Sequence, residues 1–358
     1  MNYKLYYRFI VGYLIVFVLY NAIIWVYFTS KFQEPQQYGI GDLARMGYMP
    51  WVRSVTVPDP LVTKKHIEIE AYSGQAIDML TVGDSFSNGG GGTYYQDYIA
   101  SLNRISVLNV EPYRDIDFVS QIAIYLNNGF LDHVRPRYLL LSSSEKYCVE
   151  RFSRQVDFDR NISMSELATK KKFGFQRGHN PDIEAPLTVK GMMKFINEGN
   201  FKLLEYLILY RFSDHAFFSK VYRMPLSKAL FSGDYDTTLL FYRDDLRNIS
   251  YSTAEAVRAM NDNLNRLADR LALKGITLVF MPVVDKYNLY RPLIVENRYP
   301  VNALFDLLRP LPRRYQLIDT KRILTEEVQA GEKDLFLVND THWSWKAPKK
   351  IFESVLFR

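Results

Sequence analysis

Twenty consecutive residues without a charge, Phe9 to Phe28 (FIVGYLIVFVLYNAIIWVYF), constrain this chain more than any other feature. About twenty apolar residues in a helix span the roughly 30 Å hydrocarbon layer of a bilayer. Asn21 is the one strongly polar member, and Tyr6, Tyr7, Trp25 and Tyr27 sit near the ends, where amphipathic rings favour the interface. A cleaved signal peptide would have a shorter apolar region, about 7–15 residues, and a small-x-small cleavage site. The sequence that follows, TSKFQEPQQYG, offers no such site. Residues 1–29 are therefore expected to form a retained transmembrane anchor. Lys4 and Arg8 precede the span and Lys31 follows it beside Glu34, so the positive-inside rule favours a cytoplasmic N-terminus and places the rest of the chain outside the cytoplasm.

Beyond the anchor the composition is that of a globular protein. Of 358 residues, 48% are apolar and 23% charged, which excludes a disordered, collagenous or multi-span chain. The formal charge of +6 is spread along the sequence, too weak to indicate nucleic acid. A single cysteine, Cys148, excludes an intramolecular disulfide and a cysteine-based zinc cluster. The five histidines, at 66, 133, 179, 215 and 342, show no metal-ligand spacing, so neither a metal nor a cofactor is expected.

Residues 30–75 read as a linker and lead-in, broken by Pro35, Pro50, Pro58 and Pro60. From Ile77 a rhythm begins, with strands predicted at 77–82, 105–110 and 138–141 and helices at 93–102 and 116–126. The stretch 150–250 loses that rhythm and reads as an insertion or cap, with loop-like pieces such as GFQRGHNPD and SGDYD. Ser252-Thr-Ala-Glu255 has the form of a capping box opening a helix to about Leu273, stopped at Gly275. Strands at 276–281 and 315–318 then alternate with helices at 301–308, 322–330 and 345–356. Such alternation predicts an α/β fold with a parallel sheet covered on both faces. In sheets of that kind, chemistry sits beyond the strands' carboxyl ends, and Gly83-Asp84-Ser85 lies at one of them.

A serine hydroxyl attacks a carbonyl only with help: a histidine to take its proton, a carboxylate to orient that histidine, and donors for the oxyanion. Ser85 in TVGDSFS is the candidate nucleophile; Asp340 and His342 in NDTHWSW are the candidate partners. A spacing of two in an extended loop puts both of those side chains on one side. The glycines at 89–92 suggest a phosphate loop, but no lysine follows them as a Walker motif requires. They are expected instead to let a loop pass close to the nucleophile or to an acceptor.

Gly83-Asp84-Ser85-Phe86-Ser87 and Asp340-Thr341-His342-Trp343-Ser344 resemble the signature blocks of SGNH hydrolase-like proteins. They are especially similar to the branch containing the alginate O-acetyltransferases of bacterial exopolysaccharide systems. Met281-Pro-Val-Val-Asp-Lys286-Tyr-Asn-Leu-Tyr290 resembles that branch's strand-end Pro…Lys segment. The resemblance spans about 75–358 with the middle unmatched. It implies a flavodoxin-like α/β/α sandwich over 76–358, with Ser85 as nucleophile, His342 as general base and Asp340 as its carboxylate. In the alginate enzymes the Asp-x-His block precedes the serine block; here it follows, a difference that circular permutation would produce without altering the site. Many SGNH enzymes carry Asp three residues before His, a position held here by Asn339, the alternative to Asp340. Asp84, Lys286 and Trp343 are expected to bind substrate, although Lys286 could instead hold the site. The Ser85 N–H is the expected first oxyanion donor; the family's glycine after the second strand and asparagine after the third are missing.

The resemblance further implies a single-pass protein of the inner membrane whose periplasmic domain O-acetylates a bacterial polysaccharide. The acetyl group would come through a separate multi-span membrane acyltransferase. A carbohydrate acetylesterase with the same triad and a non-catalytic polysaccharide-binding or assembly subunit are the alternatives.

Overall fold

The computed structural model describes residues 3–27, 41–55, 62–174 and 195–357. Among the described residues eight strands form, β1 (Ile67–Glu68), β2 (Met79–Val82), β3 (Val107–Val110), β4 (Tyr138–Ser144), β5 (Val221–Pro225), β6 (Thr238–Tyr242), β7 (Thr277–Val283) and β8 (Gln316–Leu317). Six of them make one parallel sheet in the order β1-β3-β2-β4-β7-β8, and β5 and β6 pair antiparallel on their own. All four residues of β2 and all four of β3 are buried. Strands buried on both faces read as continuous apolar runs rather than alternating ones, which is why MLTV and VLNV look as they do.

Successive side chains feed two separate cores. Met79, Val107, Leu140 and Val279 point into one, with the helices Tyr95–Asn103, Thr320–Gln329 and Lys346–Ser354. Leu80, Leu108, Leu139 and Phe280 point into the other, with Phe118–Asn127, Glu145–Phe152 and Ala254–Ala272. In Ala254–Ala272 the buried residues Val257, Met260, Leu264, Leu267 and Leu271 recur every three or four positions, one face of a helix. Its cap lies one residue later than the sequence suggested. Thr253 is extended (φ −82°, ψ 156°) and accepts from the Ala256 N–H, whereas Ser252 lies outside the helix, so the Ser252–Glu255 box does not form.

The stretch expected as an insertion is continuous with these cores. Phe152, Phe158, Ile162 and Leu167 join the second, and Val221, Leu239, Leu240 and Phe241 of the β5–β6 hairpin join the first. Most of GFQRGHNPD lies outside the described residues, as do Pro35, Pro58 and Pro60. The N-terminal apolar run is one helix, Tyr3–Tyr27, long and apolar enough to cross a membrane.

The chain leaves β2 toward β3 on one side and later returns to β4 on the other. That reversal opens a crevice at the carboxyl end of β2, where Ser85 begins the next turn. Replacing fully buried Leu264 by Ala should cost about 2–5 kcal/mol, read as a lower urea midpoint at unchanged slope.

Candidate active site

The turn after β2 is held by a buried polar bed. Asn88 donates to the carbonyls of Gly83 (2.9 Å) and Asp84 (2.8 Å), and is itself oriented by Asn109, which donates to its Oδ1 (3.0 Å). Gly83 is needed for close approach: a Cβ there would run into Ser87 and Ser142. This leaves Ser85 at the rim with its side chain directed at the second loop.

In that loop Asp340 Oδ1 lies 2.6 Å from His342 Nδ1 and also accepts from the His342 N–H (2.9 Å). His342 Nε2 lies 2.8 Å from Ser85 Oγ. With the imidazole neutral and its proton on Nδ1, Nε2 is the acceptor for the serine proton, the arrangement a general base needs. Burial alone would lower the pKa of His342; the adjacent Asp340 carboxylate outweighs this and raises it above its ordinary 6.5. Burial likewise opposes charge on Asp340, yet the His342 charge and N–H donors hold its pKa down to about 2. Gly90 packs directly on the imidazole, where any Cβ would overlap the ring. Gly90 also lies against the Ser85 carbonyl, so its backbone borders the serine as well as the imidazole.

Two further groups fix the Asp340 loop. Lys286, 1% exposed, donates to the carbonyls of Leu337 (2.6 Å), Val338 (2.9 Å) and Asp340 (3.2 Å). Burial pulls its pKa down to about 7, against the opposing pull of Asp340 and Asp42. Asp42, in the short helix Asp42–Met46, is the second of these groups. Its N–H donates to Asp340 Oδ2 (3.1 Å), and its carboxylate accepts from the Thr341 N–H (2.7 Å) and hydroxyl (2.5 Å). Burial and the Asp340 charge raise its pKa to about 6. Ala44 N donates to the Asn339 carbonyl (3.0 Å), and Gly41 lies so close to Asn339 and Asp340 that only glycine fits.

Asp42, Asp340 and His342 present donor atoms close enough together to suggest a metal site. The same atoms are already engaged in the hydrogen bonds of the relay and its clamp.

No protein-family model and no curated protein matches the chain.

The structure brings Ser85, His342 and Asp340 together and moves the three expected substrate-binding residues elsewhere. Asp84 turns inward: it pairs with Arg151 (2.6 Å) and accepts from the N–H groups of Ser144 (2.8 Å) and Phe86 (3.2 Å). Although burial disfavours its charge, Arg151 and these donors keep its pKa below the ordinary value. Trp343 is fully buried, its ring 5.0 Å from that of Phe86, so it is core rather than a sugar platform. Lys286 faces backbone carbonyls and holds the site. Asn339 accepts from Ser54 Oγ (2.6 Å) and donates to the Val52 carbonyl (3.2 Å), leaving the histidine to Asp340. Gly90 belongs to the glycine run expected to pass close to the nucleophile, and it does so against His342 and Ser85; nothing local in the sequence signals Asp42.

Replacing Lys286 by Met leaves three carbonyls without their donor. The expected loss is about 2–4 kcal/mol, visible as a lower melting temperature. Because His342 must be neutral to accept a proton, Ser85-dependent turnover should rise with pH through a midpoint above the ordinary histidine value. Asp42 raises that pKa, so Asp42→Asn should shift the midpoint of kcat/KM to lower pH. An unmoved midpoint would show that Asp42 has no electrostatic share in the relay.

Proposed function

We propose that this chain is a membrane-anchored O-acetyltransferase of the SGNH type, which acetylates sugar hydroxyls of a bacterial exopolysaccharide. The observation that carries the reading is the continuous relay from Ser85 Oγ through His342 to Asp340, at 2.8 and 2.6 Å. The carboxyl-end placement on a parallel sheet with both faces buried fits the flavodoxin-like α/β/α architecture of that family. Ser85 Oγ attacks the acetyl carbonyl while His342 Nε2 takes its proton. Collapse of the tetrahedral intermediate expels the donor's leaving group, which receives that proton, and leaves acetyl-Ser85. A sugar hydroxyl then gives its proton to His342 and attacks the acetyl carbon, and Ser85 departs reprotonated. The N–H of Ser85 would serve the oxyanion in both halves.

The apolar helix, read as a retained anchor with the remaining chain periplasmic, favours transfer over hydrolysis. It keeps the serine near a membrane source of acetyl groups, for which a multi-span acyltransferase is the proposed partner and the polysaccharide the acceptor. Incubating the protein and its Ser85→Ala variant with p-nitrophenyl acetate and an unacetylated oligosaccharide tests this by mass spectrometry. The expected result is one acetyl group on Ser85 and acetyl-sugar, both absent from the variant. Acetate without acetyl-sugar would make the protein an acetylesterase. Wild type and variant behaving alike would leave a binding or assembly subunit.

A further inference from the structure

The apolar helix does not stand alone. Asn21, the polar residue inside the span, is fully buried because Asn200 of the helix Glu198–Leu209 donates to its Oδ1 (2.8 Å). Tyr20 donates to the Asn200 carbonyl (2.6 Å), and the rings of Phe17 and Tyr20 lie 6.0 and 5.7 Å from Phe201. At the same junction Trp25 meets Phe195, 6.1 Å between ring centroids. An asparagine in hydrocarbon needs partners for its amide: the Asn21 NH2 group donates to the Phe17 carbonyl of its own helix (2.9 Å), and the donor to its oxygen comes from a segment about 180 residues away. Whatever layer holds Asn21 must therefore also receive the start of Glu198–Leu209.

The surface of this second helix suits that layer. Phe201, Leu204 and Ile208 follow helical spacing on one side and are exposed, and an apolar groove runs between them and the anchor. The turn that follows exposes Phe212 (75%) and Phe218 (78%), with Phe217 between them half exposed. Ala216 and Phe217 hold φ of 44° and 56°. Left-handed backbone at a bulky residue is costly, yet here it displays two phenylalanines to solvent. Exposed Arg211 and Lys220 flank the group, as basic residues do where apolar side chains enter a layer with anionic headgroups. The helix has 12 residues, about 18 Å, too short to cross a bilayer, and carries Glu198, Lys202 and Glu205. It runs alongside the anchor instead, with Phe201 beside Phe17 and Tyr20, and Leu204 and Ile208 facing the groove lined by Tyr13 and Val16.

We propose that Glu198–Leu209 and the Phe212–Phe218 turn form a second membrane contact, entering beside the anchor the same lipid layer that Tyr3–Tyr27 crosses. The proposal rests on the retained-anchor reading. Its occupant is lipid, because the patch is continuous with the crossing helix and is tied to it through Asn21.

The test uses the full chain in nanodiscs of mixed zwitterionic and anionic phospholipid. Cys148 is buried, so a single introduced cysteine takes a nitroxide label. Labels go at Leu204, Ile208 and Phe218, with Leu14 of the anchor and solvent-exposed Leu273 as references. Relaxation by oxygen, which concentrates in lipid, is compared with relaxation by a water-soluble nickel chelate. The expected oxygen-to-chelate ratio at the three patch sites is severalfold above that at Leu273 and approaches that at Leu14. The patch sites are exposed and independent, so one that perturbs folding leaves two. Patch ratios equal to Leu273 while Leu14 stays lipid-like would overturn the proposal and hand the face to a protein partner, leaving the anchor intact. A Leu14 label open to the chelate would remove the anchor reading, and this proposal with it.

Discussion

A buried ammonium holding three carbonyl oxygens is the constraint on which the site depends. Ser85 is fixed cheaply, because a parallel strand ends just before it and the sheet sets its position. His342 has no such support. It lies in a loop between Val338 and the helix Lys346–Ser354, and a loop left to itself samples many backbone states at about 1–2 kcal/mol per residue of ordering entropy. Lys286 removes that freedom by binding residues 337, 338 and 340 at once. Asp42 adds a further hold through Asp340 and Thr341. The price is a cation and two carboxylates placed away from water, which is why the protonation equilibria of Lys286, Asp42 and Asp340 are all displaced.

Much of the architecture was legible in the sequence, for a physical reason. A strand covered on both faces must be apolar at every position, and a helix on such a sheet must be apolar every three or four residues. Both patterns survive in MLTV, VLNV and Ala254–Ala272. What could not be read were pieces whose stability is borrowed from elsewhere. β1 has two residues, Asp42–Met46 has five, and neither has a period long enough to show. The hairpin β5–β6 carries its apolar residues among Tyr, Arg and Lys, so the stretch reads as an insertion or cap without showing which of its residues join the cores.

The site was legible in its chemistry and not in its directions. Serine, histidine and aspartate at two loops announce a relay because few other arrangements use those types together. Proximity in sequence to Ser85 or His342 made Asp84 and Trp343 look like ligand contacts. Adjacent residues in an extended segment point to opposite sides, so the neighbours of an outward nucleophile or base are the ones most apt to be buried, as Asp84 is at 2% and Trp343 at 0%. Asp42 shows the complementary limit. Its partner lies 298 residues away, and no local pattern encodes a contact that only chain closure creates.

That separation carries a consequence for when the site comes into being. Ser85 and its turn can take shape as soon as β2, β3 and β4 have paired, while the ribosome still holds residues beyond 300. The histidine loop leaves the ribosome last of the three parts, and its clamp is the segment that follows the apolar helix, made first. A half-built chain thus has a serine turn without the histidine that faces it. The serine–histidine contact is complete only when the latest-made loop docks on the earliest-made clamp, so the order of translation sets when the site comes together.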